Sequence, residues 1–408
     1  MDRLGEGQAC LPKLSQRPWH AYLPGRVRVP TVVKTRLFLV IAFFNIAWTP
    51  YAVLAQKEKE KENVLLHPDK FYKKFLPRLR VKRNPPDSSF IKSYPNYLSV
   101  EMHIVSPAIR MDIHSRMPKP ENVDPSSKFR TNISDVIGFS ASYRFISVGF
   151  AFLSKSGMNT HQDYAPSRYR TATIKYNSAA YALQFRYVRI QGFTDINQSN
   201  RIDPNPVYTQ RPDMVNKEFQ FEGLYNLSWK KYSYIAPLTF AQRQIKSHAG
   251  FLLKVGAYYN QVSSNSAIVN QRQQPFYGDF NDVKIIRSLS LRVAPGVGGN
   301  LVFLKRIYLS LAAFTSFDLY YYKYLKTPDE KVDRKQAFVF MLDGKASLGY
   351  QSRRLYAGLR YEAERRAGVL HNMDMNTIYT YTGIELGYRF DTPRLVKKVY
   401  KKTMPPGM

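Results

Sequence analysis

Charged side chains in this sequence recur at alternate positions of extended runs rather than in clusters. Glu101 and His103, Glu218 and Glu222, Asp343 and Lys345, Arg360 and Glu362, and Glu385 and Arg389 follow that spacing, while Arg186, Lys254 and Arg292 hold single places in comparable runs. Every-second-residue spacing puts the members of a run on one face of a strand. Bases and carboxylates displayed in this way can neutralise one another across an enclosed space, where an unpaired charge would be costly, or can line a polar passage. A second group, Gln242-Arg243-Gln244 followed closely by Ser247, interrupts the pattern. Its arginine has the donor geometry to engage carboxylates such as Glu222 or Glu385.

Other arrangements that could do chemistry are weak. Ser247-His248 offers a nucleophile beside a base, but neighbours in a strand point to opposite faces, which keeps them from hydrogen bonding. None of the 7 histidines stands in an HExxH pattern, so no metal or cofactor is expected. Gly296-Val297-Gly298-Gly299 has the composition of a phosphate loop without a following helix; glycines in a strand more often relieve crowding or allow a bend. The single cysteine, Cys10, excludes a disulfide framework.

The elements that must position these residues are long strands. In residues 288–303, Leu289, Leu291, Val293, Val297, Leu301 and Phe303 share one face, and Ser288, Ser290, Arg292, Gly296, Gly298 and Asn300 share the other. Lys305-Arg306 makes a polar turn, and the chain returns with Leu309, Leu311, Ala313 and Phe317 alternating against Tyr308, Ser310, Ala312 and Asp318. Each arm exceeds the usual soluble strand and is long enough to cross a bilayer, which takes about 9 to 11 tilted residues. Similar alternation starts near Asn96 and ends on Phe390, and aromatics make up 14 % of the chain, as two interfacial girdles require. These observations predict an all-β fold: an antiparallel transmembrane β-barrel of about 12 strands, in a range of about 10 to 14.

Short turns alternate with long polar loops, which labels the direction of each strand. Counting strands from either end agrees only if residues 230–247 add no net crossing. That segment is therefore expected to fold over or inward, making Arg243, Gln244 and Ser247 candidates for a plug or ligand platform. The lumen candidates are Glu101, Glu222, Lys254, Arg292, Asp343, Lys345, Arg360, Glu362, Glu385 and Arg389.

Ahead of the barrel, residues 1–55 combine an unassigned Pro- and Arg-rich start with a secretory signal: Lys34 and Arg36, an apolar core from Leu37 to Trp48, and a Val53-Leu54-Ala55 cleavage pattern. Residues 56–95 form a charged lead expected to be solvated, residues 96–390 the barrel, and residues 391–408 a basic tail. The net charge of +31 first suggests nucleic acid. Its bases are scattered through strands and turns, however, with no basic helix or recognised module, so no nucleic-acid partner is expected and a soluble nucleic-acid binder would have to stay in solution without detergent.

Three blocks, residues 231–262, 294–314 and 346–362, with the closing ELGYRF, resemble a Bacteroidota family catalogued only as a domain of unknown function. The resemblance spans roughly Tyr72 to Phe390, with Gln242-Arg243-Gln244, Ser247 and Gly250 as its most specific part. It implies export and an outer-membrane barrel, and it brings no catalytic residues. The final strand, ending on an aromatic, also resembles the signal read by the bacterial barrel-assembly machinery, although a basic tail follows it here. The resulting expectation is a multi-pass outer-membrane barrel surrounded by lipid and lipopolysaccharide, acting as a narrow diffusion channel or a structural barrel. A barrel lipase or acyltransferase is the alternative; it would need polar groups converging on the outer wall.

Overall fold

The structure, a computed structural model, describes residues 85–118, 126–153, 161–196, 208–271, 273–328, 330, 335–370 and 373–403. The expected signal segment and most of the charged lead lie outside the described residues. The chain begins with β1 (Ile91–Ser93), β2 (Tyr97–Ser115), β3 (Ser126–Arg130), β4 (Val136–Tyr143) and β5 (Ile146–Leu153). It continues through β6 (Arg168–Asn177), β7 (Tyr181–Asp195), β8 (Thr209–Asn226), a short helix α1 (Ala236–Thr239), β9 (Gln242–Gln244) and β10 (His248–Ser263). The last elements are β11 (Ile285–Phe303), β12 (Ile307–Leu325), β13 (Lys335–Gln351), β14 (Leu355–Leu370), β15 (Met373–Asp391) and helix α2 (Arg394–Thr403).

Twelve strands close on themselves. All neighbours pair antiparallel in the order β2, β4, β5, β6, β7, β8, β10, β11, β12, β13, β14, β15, and β15 returns to β2 from Met373 opposite Ser115 to Asp391 opposite Tyr97. Closure removes the free edges that a lipid-embedded sheet could not satisfy. The alternation sorts residues as expected: Val297, Leu301, Phe317, Leu359 and Ile384 are exposed on the outside, while Ser290, Arg292, Asn300, Asp318 and Glu385 are buried inside.

One end of the barrel carries short turns. Arg144, at φ 53°, turns β4 into β5, and Leu304 and Lys305, at φ 49° and 60°, turn β11 into β12. Arg306 N–H donates to the Phe303 carbonyl to close that second turn.

At the opposite, loop end the strands run further than their alternation suggests. Residues 106–134 hold Pro107, Pro118, Pro120 and Pro125 and read by sequence as a polar loop, yet β2 continues to Ser115 and β3 follows. Pro107 fits because β2 has no neighbour on one side between Val105, the last partner of β4, and Arg110, the first partner of β3. Likewise β8 begins at Thr209 and β15 at Met373, ahead of their alternating runs. Clear of the membrane, a strand has no lipid face and so loses its apolar alternation. An apolar cluster fills this end, formed by Ile109, Ile113, Phe129, Ile190 and Phe193 together with Ile268, Val269, Tyr277 and Phe280 of the β10–β11 connection.

The last residues of the charged lead are solvated only in part: Lys92, Ser93 and Pro95 are exposed. Ile91 and Tyr94 are buried, and β1 pairs antiparallel with β9, Ile91 opposite Gln244 and Ser93 opposite Gln242.

Candidate functional site

The connection from β8 to β10 does not cross the membrane wall. It turns at residues 228–231 and enters the turn end of the barrel, where Tyr232 and Phe240 are fully buried. Local chemistry shapes it. Ser233 Oγ accepts the Ala236 N–H at 3.1 Å and donates to Gln242 Oε1 at 2.6 Å. A proline near the start of α1 suits a helix N-terminus, and Phe240, at φ 52°, ends the helix and turns the chain back toward β9. Gln244 ties the ends of the segment together: its Oε1 accepts the Ser233 N–H at 2.9 Å and its Nε2 donates to the Lys231 carbonyl at 2.6 Å.

The barrel wall satisfies the carbonyls that so short a helix leaves unpaired. Arg389 donates from Nε and Nη2 to the Phe240 carbonyl at 3.1 and 2.6 Å, and from Nη1 to the Ser352 carbonyl at 2.8 Å. Arg360 reaches the Pro237 and Leu238 carbonyls at 3.2 and 3.1 Å while pairing with Glu385 at 2.8 Å. Gln351 Nε2 donates to the Ala236 carbonyl, and Asn300 Nδ2 to the Ser233 carbonyl, both at 2.8 Å. Tyr356 stacks on Phe240 with centroids 4.2 Å apart, and the Arg389 guanidinium lies over the Tyr94 and Tyr356 rings. The segment is thus a folded plug gripped by side chains from several strands.

Above the plug lies a polar cavity of about 230 Å³, with Tyr234, Ile235, Leu238 and Thr239 of the plug contributing to its lining. The lumen in and around it carries paired charges. Arg292 binds Asp318 at 3.0 Å and Glu364 at 3.2 Å, and Lys345 binds Glu362 at 3.2 Å. Lys254 bridges Asp343 and Glu222, and Glu222 also accepts the Tyr258 hydroxyl. Glu101 lies 3.4 Å from His103. Asp343 and Glu364 stand directly opposite one another on β13 and β14, an unfavourable like-charge pair. Each is claimed by a base from another strand, Lys254 and Arg292 respectively.

All ten lumen candidates point inward, and Gln244 lies in the plug. Arg243 corrects one expectation: it engages neither Glu222 nor Glu385, and its Nη1 reaches the Gln351 carbonyl at 3.4 Å. Those two carboxylates are taken by Lys254 with Tyr258 and by Arg360. Ser247 corrects another. It is exposed, its Oγ accepts the Val302 N–H at 2.9 Å, and the neighbouring His248 ring packs edge-on against Phe90. A serine–histidine nucleophile therefore has no geometry here. Asp318, Glu364, Gln351 and Asn300 were not singled out as site residues; their inward parity in β11, β12, β13 and β14 was the available signal.

Of the two readings of the alternating charges, mutual neutralisation is the one that the cavity carries. Six carboxylates (Glu101, Glu218, Glu222, Asp343, Glu362 and Glu364) face five bases (Lys175, Arg186, Lys254, Lys345 and Arg360) around the cavity. The charges that make the chain basic lie elsewhere. Among the described residues no group of three His, Cys, Asp or Glu side chains stands close enough to hold a metal ion.

A family profile matches residues 85–390, which takes in β1, the plug and every barrel strand. No curated protein matches the sequence. Solved structures that resemble it include the outer membrane protease OmpT from Escherichia coli, at 10 % identity and TM-score 0.32, covering 73 % of this chain and 98 % of that one. The translocator domain of the autotransporter NalP from Neisseria meningitidis gives 11 % identity and TM-score 0.33, covering 80 % and 97 %. An outer membrane channel from Pseudomonas putida F1 gives 10 % and 0.32, covering 75 % and 99 %. The closed pairing of β15 with β2, and not these likenesses, makes the chain a barrel.

Proposed function

The chain belongs to the family described as Domain of unknown function (DUF4421), and from that premise we propose that it is a non-enzymatic outer-membrane barrel of a Gram-negative bacterium whose narrow lumen is closed by its own β8–β10 connection. Conduction through it requires the plug to leave. The short turns face the periplasm and the long connections the outside, following the asymmetry of such barrels. Export by a Sec-type signal, assembly by the barrel-assembly machinery, and a surround of phospholipid and lipopolysaccharide follow from the same reading.

The observation that carries the proposal is the use of barrel arginines on plug backbone. Arg389 is fully buried and directs Nε and Nη2 to the Phe240 carbonyl of the plug, while Nη1 ties to the Ser352 and Arg353 carbonyls of the β13–β14 turn, and Arg360 reaches the Pro237 and Leu238 carbonyls. A buried guanidinium held in this way fixes a surface in place with geometric specificity. Single-channel recording in planar bilayers tests it. The wild type is expected to stay closed, and Arg389→Ala to show intermittent openings of small conductance. A steady open conductance in the wild type, or silence in Arg389→Ala with the barrel intact, would refute the gated reading.

A further inference from the structure

Exposed bases cluster at the turn end of the described residues. Arg144, Lys230, Lys231, Lys246, Lys305 and Arg306 are exposed there, and the turn from β13 to β14 adds Arg353 and Arg354. Helix α2 continues this rim directly after the barrel closes.

The sequence of α2, RLVKKVYKKT, divides cleanly. Leu395, Val396, Val399 and Tyr400 occupy one side, and Arg394, Lys397, Lys398 and Lys402 the other. Tyr143 fixes where the helix lies. It has the outward parity of Phe139 and Ala141 in β4, whereas Ser142 points inward to Ser147. Yet Tyr143 is buried, because the Tyr400 ring covers it edge-on at 5.1 Å and the Arg144 guanidinium sits 5.2 Å from the Tyr400 ring. The helix therefore runs along the outer wall at its turn-end rim, the level at which lipid headgroups meet such a barrel. Leu395 and Val399 remain 71 % and 52 % exposed, extending the apolar band of Val148 and Phe150 on neighbouring β5.

Nothing within α2 accounts for its own stability. Ten residues make a marginal helix in water. Arg394 and Lys398, and Lys398 and Lys402, are like-charge pairs four residues apart, a destabilising spacing, and the first turn holds no acid. An anionic surface reverses the sign of those interactions.

We propose that α2 is an interfacial helix that binds anionic phospholipid headgroups of the periplasm-facing leaflet, with Leu395 and Val399 in the acyl boundary and Arg394, Lys397, Lys398 and Lys402 on the phosphates. This rests on the outer-membrane placement given above. An acidic protein partner would suit the charge, but it would leave Leu395 and Val399 unexplained at the edge of the lipid-facing band.

Hydrogen–deuterium exchange on the full chain in nanodiscs tests the proposal, comparing phosphatidylcholine alone with phosphatidylcholine containing phosphatidylglycerol. Amides of residues 394–403 are expected to exchange at least about tenfold more slowly when the anionic lipid is present, with the difference shrinking at high salt. K397Q/K398Q/K402Q is expected to abolish the lipid dependence, and L395S/V399S to abolish the protection itself. Equal exchange of α2 in both lipids, with β4 and β5 well protected, would overturn this proposal alone and leave a helix held only by Tyr143. Fast exchange of β4 and β5 in both lipids would remove the membrane placement as well.

Discussion

Two of the lumen ion pairs could have been found from the sequence. The turn that puts Phe303 opposite Ile307 fixes a register in which Arg292 faces Asp318, and the turn after Gln351 places Lys345 opposite Glu362. Locating a hairpin turn is enough to predict such partners, because antiparallel register propagates from it. Lys254 with Asp343 was not legible, since β10 and β13 meet only across the closed lumen. The same holds for Arg389, whose partners are backbone carbonyls and leave no mark in residue type. Buried pairs of this kind respond asymmetrically to mutation. Asp318→Asn, which takes from Arg292 the nearer of its two carboxylates and leaves it Glu364, is expected to destabilise the barrel by about 1 to 3 kcal/mol, and the double change Arg292→Met/Asp318→Leu by clearly less. Urea unfolding in lipid vesicles measures both; a double variant as unstable as the sum of its singles would contradict the pairing.

The plug shows what strand parity can and cannot reveal. Its existence was implied by the requirement that the crossings close in pairs, whereas its path was not, because α1, Phe240 and β9 form only against β1 and the wall. The participation of Ile91 to Tyr94 was hidden by the charged composition of the stretch before them. Gly298 marks one contact where wall and plug meet. A Cβ built there would lie 2.3 Å from the Tyr232 hydroxyl oxygen, which makes no hydrogen bond of its own. Gly298→Ala is expected to loosen the plug at a cost of about 1 to 3 kcal/mol, as overpacking usually does. Limited trypsin cleavage at Lys230, Lys231, Arg243 or Lys246 reports the loosening. Tyr232→Phe in the same chain should restore resistance by removing the offending oxygen. Equal cleavage with and without that second change would place the clash elsewhere.

At the scale of the molecule, charge is partitioned by surroundings. The lumen is close to neutral because an enclosed, poorly hydrated space penalises unpaired charge, while the turn-end rim, facing water and headgroups, accumulates bases without that penalty. Composition alone could not distinguish these locations, because a net charge does not say which faces carry it. Barrel closure and strand number were legible because lipid imposes a strict alternation. The loop-end extensions were not, because above the bilayer that constraint lapses and an apolar cluster takes over.

The central claim is that this cavity is shut off by the plug, and the accessibility of Thr173, on its wall, tests it most directly. With Cys10 replaced by Ser so that one thiol remains, Thr173→Cys in intact vesicles should react with a membrane-impermeant maleimide at least about tenfold more slowly than the same chain carrying Arg389→Ala, the factor expected if the plug contacts contribute ~1.4 kcal/mol to closure. Equally fast labelling in the two chains would mean that water already reaches the cavity freely and that the plug does not close it.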